Sequence, residues 1–156
     1  MGICGMEMLA GEYSVILDET GRICLPFHLR RNLGETDLFL TKGIENCLWL
    51  FSSGEWNKII NDITKDADPL SEEYCNFKQC VIDPAQKVKI DKVGRIFITQ
   101  SLCEYAALTK NCVILGQFEY IEIWAEDRYR EYLEASREEF AAELLRLRPV
   151  IDSAPS

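Results

Sequence analysis

A chain of 156 residues has room for one domain or two small, interlocked ones, and its 47% hydrophobic and 28% charged residues are those of an ordinary globular protein. No apolar run approaches the roughly 20 residues that span a bilayer. Met1-Gly2-Ile3-Cys4-Gly5 lacks the basic region and apolar core of a secretory signal, so a cytoplasmic protein without a membrane partner is expected. The formal net charge of −9, taken alone, speaks against a nucleic acid, whose phosphates demand cations.

In chain order, Gly2 suggests N-myristoylation, but Met6 stands where that signal wants Ser or Thr. Tyr13–Leu17 and Arg22–Leu25 read as strands flanking the tight turn Asp18-Glu19-Thr20-Gly21, whose glycine takes φ > 0 without a Cβ clash. Pro26 can open a short helix over Pro26–Leu33, since a first-turn residue needs no N–H donor, and Gly34 sits where a C-cap belongs. Asp37–Thr41 and Cys47–Phe51 are β-prone runs joined by a second hairpin. Ser52-x-x-Glu55 reads as a capping box opening a helix with Trp56, Ile59, Ile60 and Ile63 on one face. Asp66-Ala67-Asp68-Pro69 ends it, and Leu70, Tyr74, Phe77 and Val81 space a further helix.

The pattern then repeats: strands over Lys87–Ile90 and Arg95–Thr99, a short helix over Gln100–Ala107, and strands over Cys112–Leu115 and Tyr120–Trp124. An amphipathic helix over Glu126–Arg148, with Tyr129, Leu133, Phe140, Leu144 and Leu147 among charges, needs a partner surface. The predicted organisation is a first repeat with its helix over residues 8–66, a connecting helix and linker over 67–83, a second repeat with the C-terminal helix over 84–148, and a disordered tail over 149–156.

The repeat is explicit in the residues. Leu17-Asp18-Glu19-Thr20-Gly21-Arg22-Ile23 recurs 73 positions later as Ile90-Asp91-Lys92-Val93-Gly94-Arg95-Ile96. The same offset, with no gap, carries Leu29 onto Leu102, Gly43 onto Gly116 and Leu48-x-Leu50-Phe51 onto Ile121-x-Ile123-Trp124. A duplicated β unit and a pseudo-symmetric α+β fold follow, a ready precursor of symmetric assembly.

Charge is distributed unevenly. Lys87–Trp124 holds five Lys and Arg against four Asp and Glu, whereas Ser52–Gln86 holds three against seven and Ala125–Ser156 five against eight. Global acidity is therefore no veto on a local basic face. The seven cysteines, Cys4, Cys24, Cys47, Cys75, Cys80, Cys103 and Cys112, are scattered without a C-x-x-C pair, and His28 is the sole histidine. No metal or other cofactor is expected, and the cysteines read as small apolar fillers, Cys24 and Cys47 within strands.

The chemistry-bearing element is D-x-x-G-R, present as Asp18…Gly21-Arg22 and Asp91…Gly94-Arg95. A carboxylate opening a turn accepts the turn's backbone N–H groups, and an arginine on the returning strand sits within its reach. Stapling the hairpin is the bland role and accounts for the aspartates about as well as any other. The two equivalent arginines point to bidentate contact with phosphate or guanine. Lys87, Lys89 and Lys92 are candidates to widen the basic face, Lys87 and Lys89 from one side of a strand, with Arg30, Arg31 and Lys42 a weaker group; for each of them a solvated surface charge is a commoner role than a phosphate contact. Trp49, Trp56 and Trp124 read as core or interface anchors.

At these residues the chain resembles the MraZ family. Gly11-Glu12-Tyr13…Leu17-Asp18…Gly21-Arg22-Ile23…Leu25-Pro26…Arg30 looks like its first half, and Asp91-x-x-x-Arg95 followed by Val113-Ile114-Leu115-Gly116…Glu122-Ile123-Trp124 like its second. The resemblance spans roughly residues 8–132, with Met8-Leu9-Ala10-Gly11-Glu12 like the usual family start, which leaves Met1–Glu7 as an extension or a start-codon choice. It implies two tandem swapped-hairpin, AbrB-like repeats forming an intrachain pseudo-dimeric β-barrel with flanking helices. It also implies homo-oligomeric rings, octameric or larger, that bind repeated sites on double-stranded promoter DNA of the division and cell-wall gene cluster type, on the nucleoid. By position, Arg22 and Arg95 become the DNA-contact candidates, with Asp18 and Asp91, beside Gly21 and Gly94, shaping the turns; Lys92, Lys87, Lys89 and Arg30 join them as candidates from the charge reading alone. The departures are Thr20 and Val93 in place of a frequent lysine, Ala10 in place of a basic residue, Thr99 for proline and Cys103 for arginine. Each removes charge or helix-start definition, so useful affinity is expected only from several protomers on repeated sites. The alternative is a protein-interaction module, antitoxin-like or scaffold. An enzyme acting on a small-molecule substrate is disfavoured, since no nucleophile–histidine–acid set, phosphate-cradling glycine loop or metal cluster is present in the sequence.

Overall fold

The computed structural model describes residues 8–34 and 37–153; Met1–Glu7, with Cys4 and the myristoylation and secretory-signal readings, and Ala154–Ser156 lie outside them. The two apolar, β-prone halves become eight strands: β1 (Leu9–Ile16), β2 (Arg22–Cys24), β3 (Asp37–Lys42), β4 (Leu48–Ser52), β5 (Gln86–Lys89), β6 (Arg95–Phe97), β7 (Asn111–Phe118) and β8 (Ile121–Ala125). Six of them form one antiparallel sheet in the order β1-β7-β8-β4-β3-β5, and β2 pairs with β6 in a second, two-stranded sheet. Exchanging the repeats leaves the long sheet's order unchanged when it is read from the other end. Neither repeat pairs its own first and third strands. β1 pairs with β7 of the second repeat, and β5 with β3 of the first.

One detail departs from the gap-free repeat. Lys89 pairs with Asp37, so the constant offset would pair Ile16 with Lys110, yet Ile16 pairs with Asn111. Likewise Leu38 meets Ser52, but Cys112 rather than Asn111 meets Ala125. The second repeat inserts one residue ahead of β7 and gives it back in the β7–β8 turn, where Phe118 takes a positive φ of 69°. Gly116 therefore lies inside β7, opposite Gly11, and is not structurally equivalent to Gly43.

The main core gathers residues from both repeats, among them Ile23, Leu25, Leu29, Leu38, Leu40, Ile96, Ile98, Leu102 and Ile114, all essentially without solvent exposure. Helix α1 (Phe27–Leu33) contributes Leu29 and Leu33. Pro26 precedes it as the N-cap, and Gly34, at φ 66°, ends it as expected. The helix over Gln100–Tyr105, α4 in chain order after the two below, places Leu102 equivalently. Ser52 caps α2 (Ser53–Thr64) by accepting the Glu55 N–H at 3.3 Å, and Trp56 joins Phe51 and Val81 in a second apolar cluster. Trp124 is buried as well. The expected helix after Pro69 is shorter than its spacing suggests. α3 (Glu72–Phe77) passes into one wider turn, Lys78–Ile82, closed by the Asp83 N–H on the Lys78 carbonyl at 2.8 Å, and Leu70 stays outside and exposed.

Among the described residues, those up to Glu126 form one compact unit and those from Asp127 a second. The expected single helix is two, α5 (Glu126–Ala135) and α6 (Arg137–Asp152), broken at Ser136, with Tyr132 against Phe140 at 5.9 Å. Helix α6 continues through Pro149 to Asp152, so the fraying expected from residue 149 does not begin there. Among the described residues no helix is long and apolar enough to cross a membrane, and no group of His, Cys, Asp and Glu is placed to hold a metal ion.

Candidate nucleic-acid interface

Strands have a two-residue side-chain period, and in the β2–β6 pair that period sorts accessible residues from buried ones. Ile23 faces Ile96 and both are wholly buried, while Arg22 faces Phe97 and Cys24 faces Arg95 on the opposite, solvent-accessible face. Arg22 and Arg95 are thus diagonal neighbours on one face of a two-stranded ribbon, roughly 7–8 Å apart by the usual cross-strand spacing. Each follows a glycine with positive φ, 82° at Gly21 and 87° at Gly94.

The two turns are built alike. Asp18 Oδ1 accepts the Thr20 N–H at 2.9 Å, the Thr20 hydroxyl at 2.6 Å and the Arg22 N–H at 3.0 Å. Asp91 Oδ1 accepts the Val93 N–H at 3.0 Å and the Arg95 N–H at 2.8 Å. Each glycine carbonyl is taken by the other repeat: Leu25 N–H donates to Gly94 at 2.9 Å and Ile98 N–H to Gly21 at 2.8 Å. The turns are therefore locked to each other as well as within themselves.

The Thr20 hydroxyl first, and the Arg22 amide next, hold the Asp18 carboxyl below its ordinary 3.8. The Arg95 amide is the leading cause of the same lowering at Asp91. A carboxyl whose pKa is depressed by folding stabilises the folded chain above its unfolded pKa and loses that contribution as pH falls through the folded value. Wild-type stability is thus expected to decline as pH drops below 3.8, and more steeply than that of an Asp18→Asn, Asp91→Asn double variant. Denaturant midpoints followed by circular dichroism across that range are the check, and parallel declines would contradict it.

The arginines differ in posture. The Arg22 guanidinium lies over the Phe97 ring, 5.4 Å from its centroid. Arg95 Nε donates to Asp91 Oδ2 at 3.0 Å, and its Nη1 lies 3.6 Å from Asp18 Oδ2 of the other turn. Lys92 is exposed at the tip of the second turn. Lys87 and Lys89 share the exposed face of β5, as their spacing indicates, and both approach Asp37 on β3, at 3.7 and 3.8 Å. Arg30 is turned toward the protein. Its Nε donates to the Leu25 carbonyl at 2.9 Å, it lies over Phe27 at 5.6 Å, and it covers Gly94 so closely that a Cβ there would meet Cζ at 2.4 Å. His28 is exposed, within 3.5 Å of Asn32. Cys24, expected as a filler, is exposed, because its side of β2 is the arginine face, whereas Cys47 and Cys112 are buried and burial pushes their thiols up to about 12 and about 11. The site also involves residues the motif reading passed over, Phe97, Glu19 and Asp37. Aligning Cys24 with Phe97 and Glu19 with Lys92 at the 73-residue offset marks the first two.

Comparison with known proteins bears on the chain as a whole. The family model described as "MraZ protein, putative antitoxin-like" matches residues 8–73 and 81–148. The chain is 40% identical over 139 residues to the "Transcriptional regulator MraZ" of Treponema denticola, covering 88% of this chain and 96% of that one. It is 44% identical over 132 residues to that of Treponema pallidum strain Nichols, covering 85% and 89%, and 39% identical over 127 residues to that of Dictyoglomus thermophilum, covering 80% and 84%.

Proposed function

This chain belongs to the MraZ family, and on that footing we propose that it is a transcriptional regulator that binds double-stranded promoter DNA as a homo-oligomer. The observation that carries the reading is the β2–β6 ribbon, with Ile23 and Ile96 in the core and Arg22 and Arg95 side by side on its outer face. A two-stranded ribbon fits the major groove of B-DNA, about 12 Å wide, and arginine reads guanine there bidentately. Lys92, Lys87 and Lys89 supply phosphate contacts, and Arg30 acts by propping the second turn. The interleaved strands act as an intrachain swapped-hairpin pseudo-dimer whose halves close into a barrel. Rings of such chains then set several ribbons on successive promoter repeats of the division and cell-wall gene cluster type, at the nucleoid.

The test is fluorescence anisotropy of the full chain with a duplex from upstream of its own gene and with a scrambled duplex, titrated with salt. Preference for the promoter duplex is expected, with a log–log salt slope of about −0.9 per phosphate contact, multiplied by the engaged subunits. Equal affinity for both duplexes overturns the proposal. A second reading, a protein-interaction module, is favoured by the exposed Leu144, Leu145, Leu147, Val150 and Ile151 of α6. Retention of a stoichiometric protein partner with no DNA retained would select it.

A further inference from the structure

The hairpins have one backbone design and opposite charge. At the 73-residue offset, exposed Ser14, Ile16 and Glu19 of the first stand where exposed Lys87, Lys89 and Lys92 stand in the second. Ser14–Arg22 therefore carries two acids against one base, and Lys87–Arg95 four bases against one acid. The one-residue insertion before β7 leaves these positions untouched, because both hairpins close alike: Asp18 N–H donates to Arg22 and Asp91 N–H to Arg95, each at 2.9 Å.

The arginines differ for a visible reason. Arg22 faces Phe97, an aromatic ring it can lie on; Arg95 faces Cys24, which offers no ring, and it turns instead to Asp91 and Asp18. A guanidinium packed over an aromatic ring spends none of its N–H donors on that contact. One already paired with two carboxylates has its charge offset and its donors partly spent.

We infer that the two hairpins divide the work on a duplex. The second grips the phosphate backbone through Lys87, Lys89 and Lys92, and the first presents Arg22 to a base edge while Glu19 keeps the phosphates off the first turn. This rests on the DNA-binding reading above and adds direction to it. Ammonium groups suit phosphates as mobile point charges, whereas a planar fork held on a ring suits the paired acceptors of guanine. The Asp37 contacts of Lys87 and Lys89 do not stand in the way, because their ammonium-bearing side chains are 58% and 76% exposed, and exposed pairs of this kind are weak. Arg95 becomes a positioning residue that ties the two turns together. Each protomer then has a polarity on the duplex, reading on one side and holding on the other.

The experiment compares wild type, Arg22→Ala, Arg22→Lys, the triple variant Lys87→Ala, Lys89→Ala, Lys92→Ala, and Glu19→Lys. Each full chain is titrated with its own promoter duplex and a scrambled duplex over a salt series, after circular dichroism has verified its fold. Both Arg22 variants are expected to cut discrimination about ten- to hundredfold. The lysine variant keeps the charge and so the salt slope. The triple variant should weaken both duplexes in parallel and flatten the slope by about 0.9 per lysine per engaged subunit. Glu19→Lys should tighten both duplexes and steepen the slope. Discrimination that survives in Arg22→Lys, or that falls in the triple variant with its slope intact, overturns the division of labour. A wild type that fails to discriminate overturns instead the DNA-binding reading on which it rests.

Discussion

Ile23→Ala is expected to cost about 2–5 kcal/mol of folding stability, a large part of the roughly 5–15 kcal/mol that keeps a domain of this size folded. Ile23 is wholly buried at the middle of β2, opposite Ile96, and these two are the ribbon's inward residues. Shortening the side chain opens a cavity bounded by strands of both repeats. The surrounding core cluster draws on residues of both repeats, among them Leu25, Leu29, Ile98 and Leu102, so closing the cavity requires both halves to shift together. The expected fall in melting temperature is roughly 4–20 °C for a chain of this length. Thermal unfolding at one fixed protein concentration removes the mass-action contribution of any assembly. Since both arginines sit on this ribbon, promoter discrimination should fail at the temperature where the variant melts and not before. A loss below about 1 kcal/mol, less than typical for emptying a buried isoleucine site, would mean the ribbon is not seated on the core.

Gly116→Ala should be costly for a different reason. Gly116 pairs with Gly11, and a Cβ on it would lie 2.5 Å from the Ala10 nitrogen and 2.7 Å from its Cα. Those are backbone atoms of the neighbouring strand, which cannot rotate aside as a side chain would. Relief requires β1 to move away from β7, stretching the ladder that joins the repeats at that edge. Overpacking of this kind costs about 1–3 kcal/mol. Hydrogen exchange locates the effect: amides of β1 should lose protection while those of β3 and β4 keep theirs. Uniform loss along the whole sheet, or none, would contradict this account of the glycine pair.

Much of the architecture was legible because the duplication writes each element twice. The turns, the positive φ of Gly21 and Gly94, the helix ends at Pro26 and Gly34, and the Ser52 cap all follow from local chemistry that short stretches of sequence carry. Pairing partners are another matter. Nothing in Leu9–Ile16 says that it will lie against β7 rather than β3, since both offer a short apolar, β-prone run; only the three-dimensional closure decides. The slipped pairing of β7 escaped for a related reason. The residue offset is constant on either side of the strand, and the extra residue is absorbed by backbone conformation at its two ends. The break at Ser136 lies within a run of helix-compatible residues, so periodicity reads straight across it. At the candidate site, the motif singled out both arginines but not their unequal surroundings, which depend on the residue across the ribbon. The contrast of Phe97 with Cys24 becomes meaningful only once those strands are known to be neighbours.

The exchange of strands between the halves also bears on how the chain is made. As the polypeptide leaves the ribosome, Leu9–Ile16 has no lasting partner until Asn111–Phe118 has emerged. At roughly 5–20 residues per second the nascent first half spends several seconds with an open edge. Glu12 and Ser14, both exposed on that strand, keep part of the waiting segment polar. Two nascent chains on one message would hold matching unfilled edges at the same moment, which makes spacing between ribosomes a factor in whether each chain completes itself or its neighbour.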